Sequence, residues 1–183
     1  MSRTTVLAFC GSLRLHSLNR SLLRAIELSA PDFRFVGGDL IGDLPLFNAD
    51  LTGALLPAPV REFRLLASAA RGAVIVSPEY VHGPSGVTKN ALDWLTDSIG
   101  LFGKPVLLAS ASPGQTGGIA GTAALVPSLQ LLGAQLLDPM TVSRATTRLR
   151  DDGEVDDPAL AARIAIAVEE LRCALMLLPT PVT

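Results

Sequence analysis

Aromatic residues are scarce in this 183-residue chain: six Phe, one Trp and one Tyr make up 4% of it. Its core must therefore be built from Leu, Ala, Val and Ile. Cysteine is nearly absent. Cys10 and Cys173 are the only two, which excludes a disulfide framework; both are expected to be buried, reduced thiols. Charge is sparse as well, at 17% of residues with a formal net charge of −2. No long-range field draws such a chain to nucleic acid or to anionic lipid. No stretch reaches the ~18 apolar residues of a membrane span, and Gly11 and Ser12 cut the N-terminal apolar run short of a secretory signal core. These absences point to a cytoplasmic protein with no membrane or nucleic-acid partner. Also missing are the nucleotide loops G-x-x-x-x-G-K-[ST] and G-x-G-x-x-G and a metal-ligand cluster. The turns that matter hold no Ser-His-Asp or Cys-His set.

What is there is apolar. Hydrophobic residues make up 49% of the chain, enough for a sizeable core, and the length fits one domain spanning residues 1–183. Strand-length apolar runs alternate with helical patterns. "TVLAFC", ending at Cys10, has no polar alternation, as expected of a strand covered on both faces. A helix follows over Asn19–Ala30 and stops at Pro31. Phe33–Gly38 reads as the second strand, and the segment from Asp39 to Pro57 as loop. A helix beginning at Pro57 or Pro59 runs to Ala70. Ala73–Ser77 is the third strand, with a helix from about Gly86. Pro105–Ala111 is the fourth strand, Thr122–Leu132 a helix, and "AQLLDPMTVS" holds the fifth strand. The last helix opens with Asp157 as N-cap and Pro158 at its first position. Such alternation predicts a parallel sheet with helices on both faces and right-handed crossovers.

In sheets of this kind ligands bind beyond the carboxyl ends of the strands. That rule selects three turns, after Cys10, after Ser77 and after Ala111. The first, "GSLRLHSLN", places Gly11, Ser12, Arg14, Ser17 and Asn19 ahead of a helix whose first N–H groups lack internal partners. An anion is well placed there. Ser12, Ser17 and Asn19 add donors and Arg14 a charged fork. Each charge-assisted bond contributes ~1.5–3 kcal/mol, so three or four hold a phosphate without a metal. The plainer reading is that Ser17 or Asn19 caps the helix and Arg14 is merely solvated. In the second turn, "SPEYVHGPSG", the prolines and glycines shape a tight loop whose backbone can bond the edge of a flat heterocycle. Glu79 and Tyr80 lie where that ring would be, and His82 has no visible partner for work as a base. In the third turn, "SASPGQTGG", Ser112, Gly114, Gly117 and Gly118 expose backbone suited to close packing on an aromatic face. Asp138, about 20 residues beyond Gly118, suggests a dinucleotide site, but the glycine spacing and the position after the fourth strand speak against it.

The ordered set G-S-x-R-x-x-S-x-N, P-E-Y-x-x-x-x-x-G-x-x-K-N-A-x-D-W and S-P-G-Q-T-G-G resembles the NADPH-dependent FMN reductase family of quinone, chromate and azo-dye reductases. The likeness covers roughly Thr5 to Leu137. It implies a flavodoxin-like three-layer α/β sandwich with a five-stranded parallel sheet in the order 2-1-3-4-5. It also implies that Ser12, Arg14, Ser17, Leu18 (through its backbone amide) and Asn19 bind the phosphate of FMN. Pro78, Glu79, Tyr80 and Val81 would line the isoalloxazine, and Ser112, Gly114, Gly117 and Gly118 its other edge. Val81 stands where many members have Asn, and Thr88 where many have Leu. By the same resemblance, hydride passes from NADPH or NADH through FMN to a small acceptor in a ping-pong exchange, with no protein acid or base. The acceptor would be a quinone, a flavin, an azo compound or a metal oxyanion. A homodimer or homotetramer is implied, assembled through helices near "KNALDWL", and Trp94 fits an interface or a core. Two rivals are a flavodoxin-type electron carrier without NAD(P)H turnover, lacking here the usual acidic surface, and a binding module without flavin.

Overall fold

The computed structural model describes residues 3–179. Strand β1 (Thr4–Cys10) occupies the middle of a parallel sheet, between β2 (Phe33–Val36) and β3 (Gly72–Val76). Strand β6 (Pro105–Ala111) extends the sheet beyond β3. The fifth position is held by two short pieces, β7 (Gln135–Leu136) and β8 (Met140–Val142), both parallel to β6. A single strand was expected there. Pro139 breaks it, because proline has no N–H for the ladder and restrains Asp138 before it. The order is thus the expected 2-1-3-4-5, and it reverses between β1 and β3.

Helices cover both faces. Helices α1 (Leu18–Leu28) and α5 (Pro158–Leu177) enclose one apolar cluster, with Val6, Ala8 and Val74 from the sheet. Helices α2 (Ala58–Ala69), α3 (Gly86–Asp93) and α4 (Ile119–Leu131) enclose the other, with Leu7, Phe9 and Ile75. Consecutive residues of β1 thus serve opposite cores, which is why that strand reads as unbroken apolar sequence. Trp94 belongs to the second core. It is 1% exposed, packs edge-on against Phe47 at 5.0 Å, and donates from Nε1 to the carbonyl of Pro45 at 2.7 Å. Among the described residues no helix is long and apolar enough to cross a membrane.

Three further expectations are corrected. Helix α4 starts at Ile119, three residues early, because Gly118 with φ +90° turns the chain straight into it. The second turn is a small hairpin, β4 (Glu79–Tyr80) antiparallel to β5 (Gly83–Pro84). Its turn residues, Val81 and His82, have φ of +52° and +59°. Two-residue hairpin turns demand this backbone, but they normally take Asn-Gly; a β-branched residue there is strained. Finally, Cys173 is exposed, and only Cys10 is a buried thiol. Cys173 lies on the outward face of α5; burial pushes the Cys10 thiol upward, against the weaker pull of the Ser12 amide, Arg20 and the Ser17 hydroxyl.

Candidate active site

The first and second turns are locked together before any ligand arrives. The Gly11 N–H donates to Val76 at 2.8 Å, while Ser85 donates its hydroxyl to the Gly11 carbonyl at 2.7 Å. Ser85 also caps α3, accepting from the Thr88 N–H at 3.1 Å, and Thr88 donates to Ser77 Oγ at 2.9 Å. All three hydroxyl residues are buried. A side chain at Gly11 would put its Cβ 1.8 Å from Thr88 Oγ1, so only glycine fits. Thr88, which departs from the leucine common at that position, thus has a role: it bonds the end of β3 to the start of α3.

The first and third turns are locked by Asn19. Its Nδ2 donates to the Ala111 carbonyl at 2.9 Å, and its Oδ1 accepts the Ala111 N–H at 2.8 Å. This amide, expected as a phosphate donor, thus commits its oxygen and one N–H to a clamp on the end of β6. The second and third turns are locked by Glu79, whose Oε2 accepts the Gly121 N–H in the first turn of α4 at 3.0 Å. A carboxylate there complements the helix dipole. His82 is not alone: its Nδ1 lies 3.5 Å from Glu79 Oε1.

Around these ties is a cavity of ≈280 Å³ into which the three turns converge. Ser12, Arg14, Ser17, Leu18 and Asn19 line it from the first turn, Pro78, Glu79 and Tyr80 from the second, and Ser112 from the third. Val81, Gly114, Gly117 and Gly118 are not among its walls. Val81 stands fully exposed at the hairpin tip. Gly117 packs on the backbone of Val142 and Ser143, and an added Cβ on Gly118 would meet Ser110 Oγ at 2.0 Å. Those two glycines let the loop lie against β8 and β6. Gly114 accepts the Arg144 N–H at 2.9 Å. Sequence reasoning missed His16, Pro113 and Thr146, which also line the cavity. His16 stood in the first motif, but Thr146 comes from the segment after β8, and nothing local signals its arrival. A larger cleft of ≈440 Å³ lies on the other side of the first turn, between α1 and the segment after β2. It draws on only one of the three turns, so the smaller cavity is the site.

Two features show that the cavity suits a phosphate. Ser12 Oγ is buried without a hydrogen-bond partner among the described residues, a costly arrangement unless a ligand completes it. Ser17 occupies the N-cap of α1 with extended backbone, yet its side chain caps nothing, so the helix-cap reading fails. The N–H groups of Leu18, Asn19 and Arg20 are left without acceptors among the described residues. A dianion meeting those three donors, the Ser12 and Ser17 hydroxyls and the Arg14 guanidinium would complete the turn. Among the described residues, no group of three or more His, Cys, Asp or Glu is placed to hold a metal.

Comparison with known proteins bears on the fold and the family. A quinone reductase of Pseudomonas putida is 32% identical over 158 residues, covering 84% of this chain and 85% of the relative. The solved structure of FerB, a flavoenzyme NAD(P)H:(acceptor) oxidoreductase from Paracoccus denitrificans, superposes with a TM-score of 0.85 at 29% identity, covering 94% of this chain and 97% of FerB. A mutant flavodoxin of Pseudomonas aeruginosa, at 12% identity and a TM-score of 0.56 over 94% of this chain and 99% of its own, shares the fold. Residues 4–147 match the family model of NADPH-dependent FMN reductases. With its flavodoxin-like sandwich and its three convergent turns, the chain belongs to the NADPH-dependent FMN reductase family.

Proposed function

We propose that this chain is a cytoplasmic NAD(P)H-dependent quinone reductase that holds FMN by its phosphate at the start of α1. The observation that carries this reading is a Ser12 hydroxyl and three N–H groups at the start of α1 that have no partner among the described residues. When bound, FMN supplies the redox chemistry, taking hydride from NAD(P)H and passing it to the acceptor in a ping-pong exchange. The chain's own residues bind and orient. Ser12, Arg14, Ser17 and the amides of Leu18 and Asn19 take the phosphate. Pro78, Tyr80 and Ser112 line the remainder of the cavity, and Glu79 acts by fixing the hairpin on α4. Gly114, Gly117, Gly118 and Val81 shape or flank the loops rather than line the cavity. At ≈280 Å³ the cavity lies just below the usual range of ligand pockets, about 300–1,000 Å³, so FMN would not be fully enclosed by this chain alone. Quinones are favoured because the Pseudomonas relative is a quinone reductase.

Helix α4 supports a second copy of the chain as partner. It carries no charged residue, and Ile119 and Leu131 are exposed at 59% and 85%. An uncharged helix with large apolar side chains on its exposed side suits a contact with another chain.

The test is steady-state oxidation of NADPH and NADH by the purified protein with a benzoquinone acceptor, after recording its flavin spectrum. Parallel-line kinetics with turnover support the reading. A yellow protein without turnover would be an electron carrier, and a colourless one that takes up no FMN would overturn the assignment.

A further inference from the structure

We propose that Thr88 is a positioning residue of the flavin site: through a chain of buried hydroxyls it fixes the peptide between Pro78 and Glu79, and so holds the Glu79 N–H toward the cavity as a donor to the edge of a bound ring. This rests on the reading of the cavity as a flavin site. A leucine, common at this position, has no hydroxyl with which to do so.

The chain can be followed proton by proton. Ser85, Thr88 and Ser77 are each 1% exposed or less, shut off from bulk water. Each hydroxyl has one proton to give. Ser85 donates to the Gly11 carbonyl at 2.7 Å, Thr88 to Ser77 Oγ at 2.9 Å, and Ser77 to the Pro78 carbonyl at 3.3 Å. Thr88 Oγ1 also lies 2.9 Å from Ser85 Oγ, boxed between the two serines. The far end of the chain thus turns the Pro78 carbonyl inward, toward Ser77. The peptide that follows is trans, and in a trans peptide the N–H points opposite to the C=O. The Glu79 N–H is therefore turned outward.

The hairpin gives the same direction independently. Val81 and His82 form a two-residue turn, so Tyr80 and Gly83 beside it are the hydrogen-bonded pair, and the next pair, Glu79 with Pro84, is not. The Glu79 N–H thus points away from β5, and it finds no acceptor among the described residues. Pro78, Glu79 and Tyr80 line the cavity while no residue of β5 does, so the outer edge of β4 is the one that borders it. The Glu79 carboxylate, bonded to α4, holds the residue from its other end. A backbone donor without a partner is left at the wall of the cavity, and Thr88 is the hydroxyl that connects its support to α3.

The test follows hydrogen exchange at the Glu79 amide by NMR, without flavin and with riboflavin, which has the ring but no phosphate. In wild type, riboflavin is expected to slow that exchange by about tenfold or more. Thr88→Val keeps the shape of the side chain but puts a methyl where Ser77 accepts its proton. It is expected to lose the protection of Glu79 and to bind FMN and riboflavin more weakly by one shared factor of about three to ten, the size of one neutral hydrogen bond. Thr88→Ser, which keeps the hydroxyl and gives up the methyl, is expected to bind both flavins within about twofold of wild type. A threonine that only packs would give the reverse order, with the serine variant the weaker binder, and that order would overturn the proposal. So would an effect on FMN alone, or riboflavin bound to wild type without protection of Glu79. Should Thr88→Val fail to fold, the wild-type exchange and the serine variant still decide. Wild type binding neither flavin would defeat the reading of the cavity itself, whereas the other failures leave that reading standing.

Discussion

Helices α1 and α5 lie side by side on one face of the sheet, and they begin in opposite ways. At α5, Asp157 accepts the N–H groups of Ala159 at 2.9 Å and Leu160 at 3.2 Å, and is itself paired with Arg148. At α1, Ser17 stands in the same position and caps nothing, with an unpartnered Ser12 hydroxyl nearby. One start is finished within the chain. The other is left open at the carboxyl end of the central strand, where the strand order reverses. The difference teaches where to look for a ligand: a helix start that the sequence could have capped, and has not, next to a buried polar atom with no partner, is a place the fold leaves for something else.

The largest expected effect comes from breaking the tie that holds the first turn ahead of the open start. Gly11→Ala drives a methyl into Thr88 Oγ1 and Ser85 Oγ, breaking the tie between the first two turns. It should destabilise the protein by about 3–4 kcal/mol in urea unfolding and abolish flavin binding. A stability equal to wild type would show that the turns are not locked as described.

Next in size is the substitution that makes α1 begin as α5 does. Ser17→Asp supplies a capping carboxylate, so the flavin-free protein should gain about 1 kcal/mol. FMN binding should weaken by about 3 kcal/mol, because a like charge then occupies the phosphate's place. Riboflavin should be affected far less. Stronger FMN binding in this variant would erase the contrast between the two helices. Arg14→Ala tests the charged fork alone. FMN should bind about 2 kcal/mol more weakly, with little change for riboflavin; equal losses for both would remove Arg14 from the phosphate site.

The smallest effect concerns the finished start. The hydrogen bond from Arg148, with those from Leu160 and Ala159, holds the Asp157 carboxyl below its ordinary value. The unfolded chain therefore binds this proton more readily than the folded one. The cap contributes fully above about pH 4 and is lost as the pH falls below that value. Asp157→Asn should flatten the fall in stability on that acid side and leave FMN binding at neutral pH unchanged. A change in FMN affinity would mean that the two starts are coupled.

Much of this was legible in the sequence. The layered parallel sheet followed from alternation and its strand order from the resemblance, and Ser12, Arg14, Ser17, Pro78 and Tyr80, singled out by their motifs, line one cavity. What was not legible depends on contacts between distant segments. Asn19 reads as a donor beside a phosphate, but its partner, Ala111, is 92 residues away. Glu79 reads as a flavin contact, yet its carboxylate is bonded to α4. Gly117 and Gly118 read as ring-facing, although their closeness is to β8 and β6. In each case the residue type was right for the neighbourhood, and only packing decided which neighbour it meets. The break at Pro139 was visible in sequence, but its consequence depended on which part of β6 each half would pair with.

The central claim is that the open start of α1 holds a phosphate. It is tested most directly by the Kd values of the wild-type protein for FMN and for riboflavin, measured by fluorescence quenching in one buffer. Two or more charge-assisted bonds predict that FMN binds at least about a hundredfold more tightly. Equal affinities for the two flavins would contradict the account.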